Sequence, residues 1–176
     1  MNPNFIYLNW EPNNRNQSLD FKDDQFGTVT VSTSVGVYKN NYADFVMDNQ
    51  RIYYWEVKIL KGTYFKIGII KHTEIPNVKR AFSDLKEGFA YYSTGKLRNG
   101  SNKDVAGLDL KKGYGPGDTV KIRFDPKEGK LFFGLNDAPL EEAFTSQEFK
   151  KGGYVAAVGA LLEGSRYSFT LPDLED

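Results

Sequence analysis

Residues 120–135 read VKIRFDPKEGKLFFGL, and this stretch decides the fold class. Apolar side chains alternate with Lys121 and Arg123 before a turn, and the alternation resumes after it. A period of two residues is typical of a β-strand that buries one face. Pro126 favours a turn, and Gly129 can adopt the positive φ that returns the chain. The stretch therefore predicts a β-hairpin.

Further short segments show the same pattern. Residues 53–59, YYWEVKI, alternate in the same way, and residues 64–70 follow after a short turn, so we interpret the two as a second hairpin. Residues 154–160 are apolar on both faces, which predicts a central strand. No segment shows a convincing amphipathic helix pattern; residues 140–150 are the only candidate, with about two or three turns at most. Weaker strands are expected at 28–32, 88–93 and 166–171, and the aromatic residues assigned to the core are Trp55, Phe65, Phe124 and Phe133.

Length and composition agree with a single all-β domain. The chain has 176 residues, which suits one domain with a substantial core. It contains 13 Phe, 11 Tyr, 17 Gly and 7 Pro. Short aromatic and β-branched runs between turn residues are typical of a sandwich or barrel. We expect residues 1–27 to form an N-terminal extension and residues 28–176 to form the domain.

The charge and the residue inventory exclude several classes of function. The 23 basic and 23 acidic residues balance, which argues against binding a nucleic-acid backbone. The absence of cysteine and the single histidine, His72, exclude thiolate and multi-histidine metal sites. The glycine run at residues 113–118 contains a proline and leads into a strand pattern, unlike a phosphate-binding loop. We therefore expect no enzyme, no catalytic residue, no cofactor and no metal.

The sequence also gives an expectation for cellular location. No apolar run approaches the roughly 20 residues that span a bilayer. The first ten residues, MNPNFIYLNW, lack the basic flank and apolar run of a signal peptide. We expect an intracellular protein, cytoplasmic in the simplest case, that does not bind membranes.

Five blocks, in the right order and at the right spacing, resemble the conserved segments of SPRY domains. The resemblance covers about residues 28–170, and no clear PRY segment precedes it. The blocks are YYWEV followed by FKIGI (53–57 and 65–69), GFAYYSTGK followed by NG (88–96 and 99–100), YGPGDTV (114–120), FDPKEG with LFFGLND (124–129 and 131–137), and the closing run 154–169.

This resemblance implies a bent sandwich of two antiparallel sheets, of the concanavalin-like jelly-roll type, without a catalytic centre. It implies a protein–protein interaction module that binds a peptide or a folded partner through loops at one edge. Such a module would act as an adaptor or a substrate-recognition domain, as in some ubiquitin ligases. The loops expected to bind are 33–44, 71–81 and 161–164, and the candidate residues in them are Tyr38, Tyr42, Lys71, His72, Lys79, Arg80, Leu161 and Leu162.

Several alternatives stay open at this point. The basic loop residues favour an acidic or Asn/Asp-rich partner peptide on charge alone. Tyr38 and Tyr42 could instead pack beneath their loop, and Lys79 and Arg80 could be plain solvated charges. A lectin-like carbohydrate-binding sandwich and a structural domain of a larger assembly are the other two hypotheses. The oligomeric state, the partner and the parent protein are left open.

Overall fold

The computed structural model describes residues 5–7, 19–22, 28–31, 38–43, 45–100 and 112–170. Within these ranges the chain forms thirteen β-strands and three short 3₁₀ helices, and it has no α-helix. The strands are β1 (Phe5–Tyr7), β2 (Leu19–Lys22), β3 (Thr28–Val31), β4 (Lys39–Tyr42), β5 (Ile52–Lys61), β6 (Phe65–Lys71), β7 (Gly88–Tyr92), β8 (Leu97–Asn99), β9 (Thr119–Asp125), β10 (Lys130–Leu135), β11 (Glu141–Thr145), β12 (Tyr154–Ala160) and β13 (Arg166–Thr170). The 3₁₀ helices are His72–Asn77, Phe82–Asp84 and Glu148–Lys151.

The strands form two sheets, as the fold-class prediction requires. Among the described residues, the larger sheet has the order β11-β10-β9-β5-β13-β3-β2, and β1 pairs with β5 as well. All neighbours in this sheet are antiparallel except β1 and β5, which run parallel. The smaller sheet is antiparallel and has the order β4-β12-β6-β7-β8. The molecule is therefore an all-β sandwich. The described parts of residues 1–27 contribute β1 and β2 to it.

The core lies between the sheets and is rich in aromatic side chains. The four aromatic residues predicted to be core are all buried, which confirms that prediction. Rings from both sheets meet edge to face, as for Phe65 and Tyr167, whose centroids are 6.0 Å apart. The seven residues of β12 are all buried, and β12 lies between β4 and β6, so the predicted central strand is confirmed.

The hairpin at residues 120–135 is confirmed as β9 and β10, which pair from Lys130 with Asp125 to Leu135 with Val120. Asp125 Oδ1 accepts a hydrogen bond from the backbone N–H of Glu128 at 3.1 Å. Gly129 has a φ of 68°, the left-handed conformation that the sequence predicted for it.

The second predicted hairpin is wrong, because β5 and β6 lie in different sheets. β5 pairs with β9, β13 and β1, whereas β6 pairs with β12 and β7. Gly62 and Tyr64 both have positive φ, at 102° and 62°, in the connection that carries the chain from one sheet to the other. Nearly every residue of β6 is buried, so it suits the smaller sheet, which is covered on both faces.

The only helical candidate, residues 140–150, does not form a helix over that range. Glu141–Thr145 forms β11 at the edge of the larger sheet, and only Glu148–Lys151 is helical, as a single 3₁₀ turn. Pairing with β10 buries Ala143 and Phe144. Tertiary pairing outweighs helix propensity here, because so short a helix gains little stability by itself.

Candidate functional site

The outer face of the smaller sheet carries a covering segment, residues 72–87. Ile67 and Ile69 of β6 belong to the main core, so Lys66 and Ile70 point to the opposite face. A second apolar cluster covers this face, and its buried members are Ile70, Phe82, Ala90, Val155 and Ala157. Phe82 comes from the covering segment, which thereby packs against the strands.

Asn40 on β4 holds the end of the covering segment in place. Its Nδ2 donates to the backbone carbonyl of Arg80 at 2.6 Å, and the backbone N–H of Phe82 donates to its Oδ1 at 3.2 Å. The backbone N–H of Ala81 donates to Asp84 Oδ2 at 3.2 Å, within the same short segment. These contacts fix the backbone that carries Arg80.

A cavity of about 420 Å³ opens where this segment meets β6 and β8. We call it the outer-face cavity. Strand residues form one side and the covering segment forms the other. Its lining consists of Lys66, Arg80, Ser83, Asp84, Arg98, Asn99 and Gly100.

Lys66 is the most deeply placed cation of the lining, with a relative exposure of 7%. Its Nζ lies 4.6 Å from the ring centroid of Tyr38 and 5.2 Å from that of Tyr92, within cation–π range. Burial lowers the pKa of Lys66, and the nearby carboxylate of Asp84 partly opposes that shift. The Arg98 guanidinium lies 5.4 Å from the Tyr92 ring as well, so two cations share that ring.

Four of the predicted partner-binding residues lie at this corner of the smaller sheet. Arg80 lines the cavity, and Tyr38 packs on Lys66. Burial, followed by a hydrogen bond with Tyr92, raises the pKa of Tyr38 well above its ordinary value. Ala160, the last residue of β12, is the register partner of Lys39 on β4. Leu161 comes directly after Ala160 and Tyr38 directly before Lys39, so Leu161 lies close to Tyr38. Leu162 is next in the chain and is 42% exposed.

Tyr42 and Lys79 lie nearby but outside the cavity. Tyr42 is half-buried on β4 and packs against the outer apolar cluster, and burial raises its pKa. Lys79 is exposed on the covering segment. Of the predicted loop at 33–44, residues 33–37 and 44 lie outside the described residues.

Lys71 and His72 are at the opposite end of the smaller sheet from Tyr38. Lys71 pairs with Tyr154 at the start of β12, whereas Lys39 pairs with Ala160 at its end. Lys71 Nζ lies 3.2 Å from Glu148 Oε2, and the His72 Nδ1 lies 3.0 Å from the carbonyl oxygen of Gly153. The eight candidate residues therefore do not form one continuous site.

Sequence reasoning missed Lys66, Ser83, Asp84, Arg98 and Asn99. Lys66 interrupts the otherwise apolar run FKIGII, and that interruption was a usable signal. Ser83 and Asp84 carried no such signal, because their place in the cavity depends on the covering segment folding back over β6.

The described residues hold no group of three or more His, Cys, Asp or Glu side chains that could bind a metal ion. Across the same residues, no helix combines the length and the apolar character that crossing a bilayer requires.

Comparison with known proteins links this architecture to one family. The family model described as SPRY domain matches residues 52–173. The chain is similar to the crystal structure of the SPRY domain of human HERC1, with a TM-score of 0.69 and 14% identity, covering 90% of this chain and 98% of that one. A second human SPRY domain gives a TM-score of 0.67 and 18% identity, with 88% and 97% covered. No curated protein matches the chain significantly in sequence.

Proposed function

The chain belongs to the SPRY domain family, and from that premise we propose that it is a non-catalytic module that binds an acidic segment of a partner protein at the outer-face cavity. Members of this family are generally protein-interaction modules without catalytic activity. In this role the domain would act as an adaptor or a substrate-recognition unit. A cytoplasmic location stays a prediction from the sequence.

The observation that carries the proposal is the cavity itself, which combines concave shape with cationic walls. Binding sites for small groups are concave and are mostly preformed. Lys66, Arg80 and Arg98 line this one, and Tyr38 lies at its edge beside Lys66. Tyrosine and arginine are the residue types that most often dominate binding energy at interfaces. The strands beneath Lys66 supply a rigid floor, so little ordering is needed when a partner binds.

The test is a peptide-display selection on the purified domain, followed by measured affinities of the selected peptides. We expect the selected peptides to be rich in Asp and Glu. Replacing Arg80 by Ala, or Tyr38 by Ala, should weaken their binding by about tenfold. Arg51→Ala is the matched control, because Arg51 is exposed and does not line the cavity.

A second pair of variants tests the position of the site. Lys71→Ala and His72→Ala change candidate residues at the opposite end of the smaller sheet. If these two weaken binding and the Tyr38 and Arg80 variants do not, the partner binds at the other end and the proposed position is wrong. Selection of no peptide, together with binding on a glycan array, would favour the carbohydrate hypothesis.

A further inference from the structure

The outer-face cavity contains polar groups whose bonding capacity is unmet. The Lys66 ammonium, although buried, has no carboxylate oxygen within 4.0 Å among the described residues. The two aromatic rings beside it give some compensation, but they accept no hydrogen bond as strong as one to an anion. A buried cation without a paired anion is costly, so this position favours an anionic ligand.

Ser83 supplies an independent observation on the other wall. Its side chain is buried, with 2% relative exposure, and its Oγ has no hydrogen-bond partner within the described part of the chain. Buried hydroxyl groups are nearly always hydrogen-bonded, so an unpartnered one in a cavity wall leaves a donor for a ligand.

Arg80 adds a second cation at the same cavity. Its guanidinium forms no ion pair with any described carboxylate, while its backbone carbonyl is held by Asn40. Asp84 is the acidic residue of the described lining, and its Oδ2 accepts a hydrogen bond from the backbone N–H of Ala81. The ligand therefore meets an ammonium, a guanidinium and a hydroxyl from two different elements.

We propose that the outer-face cavity binds the phosphate of a phosphorylated side chain on the partner protein, an inference that rests on the proposed function. A phosphomonoester carries a charge of about −1.5 to −2 at neutral pH and has three acceptor oxygens. Lys66 and Arg80 together offer two positive charges, and Ser83 offers a hydroxyl donor. The Asp84 carboxylate in the same lining offsets part of that charge. A carboxylate ligand has one charge and two acceptor oxygens, so it would satisfy fewer of the three donor groups than a phosphate would. The cavity volume of about 420 Å³ accommodates the phosphate together with the side chain that carries it.

The test follows backbone amide signals of the labelled full chain by NMR during titration with three probes. The probes are N-acetyl-O-phosphoserine amide, N-acetylglutamate amide and inorganic phosphate. We expect the phosphoserine probe to shift the signals of Lys66, Ser83 and Gly100. It should bind about tenfold more tightly than either other probe.

Matched variants locate the binding. Lys66→Met and Ser83→Ala should each weaken binding of the phosphoserine probe by about tenfold. Lys86 is exposed and lies outside the cavity, so Lys86→Met should leave that affinity unchanged. If Lys66→Met does not fold, Arg80→Gln with Arg51→Gln as its control gives the same comparison on exposed side chains.

Three results would overturn this inference. Equal binding of the glutamate probe would assign the cavity to a carboxylate, and equal binding of inorganic phosphate would assign it to free phosphate. No shift with any probe would leave the cavity without an anion ligand. The first two results keep an anion in the cavity and leave the proposed function in place, whereas the third also counts against the cavity as its binding site. The peptide selection uses unphosphorylated peptides, so it tests the proposed function separately.

Discussion

At the scale of single residues, Phe124 shows how aromatic rings join the two sheets. Its ring centroid lies 5.4 Å from that of Phe149 and 5.6 Å from that of Tyr154, a residue of the smaller sheet. It also stacks with Tyr53 of the adjacent strand, at 6.5 Å. One side chain thus contacts both layers of the sandwich.

Replacing Phe124 by Ala should lower the free energy of unfolding by about 3–5 kcal/mol, because it leaves a cavity among these rings. Chemical denaturation followed by tryptophan fluorescence measures the loss. Phe132→Ala is the control, because Phe132 is half-buried on the face of β10 away from the core. Its ring centroid lies 4.1 Å from Arg123 Cζ. Equal losses for the two variants would mean that Phe124 does not carry the inter-sheet packing.

The candidate site could be predicted from the sequence only in part. Tyr38 and Arg80 were identified because they occupy loops that the family resemblance singles out. Lys66 interrupts an apolar run, but that signal does not place it in a cavity. Ser83 had no signal, because the cavity exists only where Asn40 holds a segment forty residues further along the chain. Lys71 and His72 were placed with the others because the sequence order of loops does not reveal at which end of a sheet each one lies.

At the scale of elements, Gly68 shows how closely β6 and β7 approach each other. A Cβ at this position would collide with the backbone carbonyl oxygen of Phe89. Gly68 and Ala90 are register partners in the middle of the pair, so the strands cannot separate there without losing ladder hydrogen bonds.

We expect Gly68→Ala to lower the free energy of unfolding by about 3 kcal/mol, with a clear fall in Tm, because backbone must move to admit one methyl group. Gly115→Ala is the matched control, since a Cβ there meets no atom within 4 Å. A thermal melt of both variants measures the difference in Tm between them. Equal stability of the two would contradict the close approach described here.

Elements that form through interactions close in sequence were predictable, and those that depend on distant parts of the chain were not. The β9–β10 hairpin was predictable because its alternation and its turn lie within sixteen consecutive residues. β5 and β6 were misassigned because a short connection can join two sheets as well as two strands of one sheet. β11 was not predicted as a strand, because it is stabilised by pairing with β10 and its own sequence shows no strand pattern.

At the scale of the whole molecule, β5 is the strand on which distant parts of the chain meet. It pairs with β1, β9 and β13, so residues near both ends of the chain adjoin the same strand. β13 in turn connects β5 to β3. A change in β13 should therefore affect the entire larger sheet rather than one edge.

Ser168 pairs with Lys58 on one side and Thr28 on the other. Ser168→Pro should lower the free energy of unfolding by about 3 kcal/mol or more, because proline has no backbone N–H to donate to the neighbouring strand. Ser168→Ala keeps the backbone donor and should retain the native fold. The tryptophan fluorescence transition and hydrogen exchange at β3 measure the effect. If exchange rises at β3 while the fluorescence transition is unchanged, the larger sheet is not one cooperative unit.

The position of β13 also determines when the larger sheet can finish folding during synthesis on the ribosome. Strand β5 emerges about one hundred residues before the strand that completes one of its edges. Until residue 170 has emerged, that edge offers unpaired N–H and C=O groups to any neighbouring chain. Folding of the larger sheet is therefore completed only after β13 has emerged. During that interval the nascent chain is the form most exposed to mispairing and most in need of chaperones.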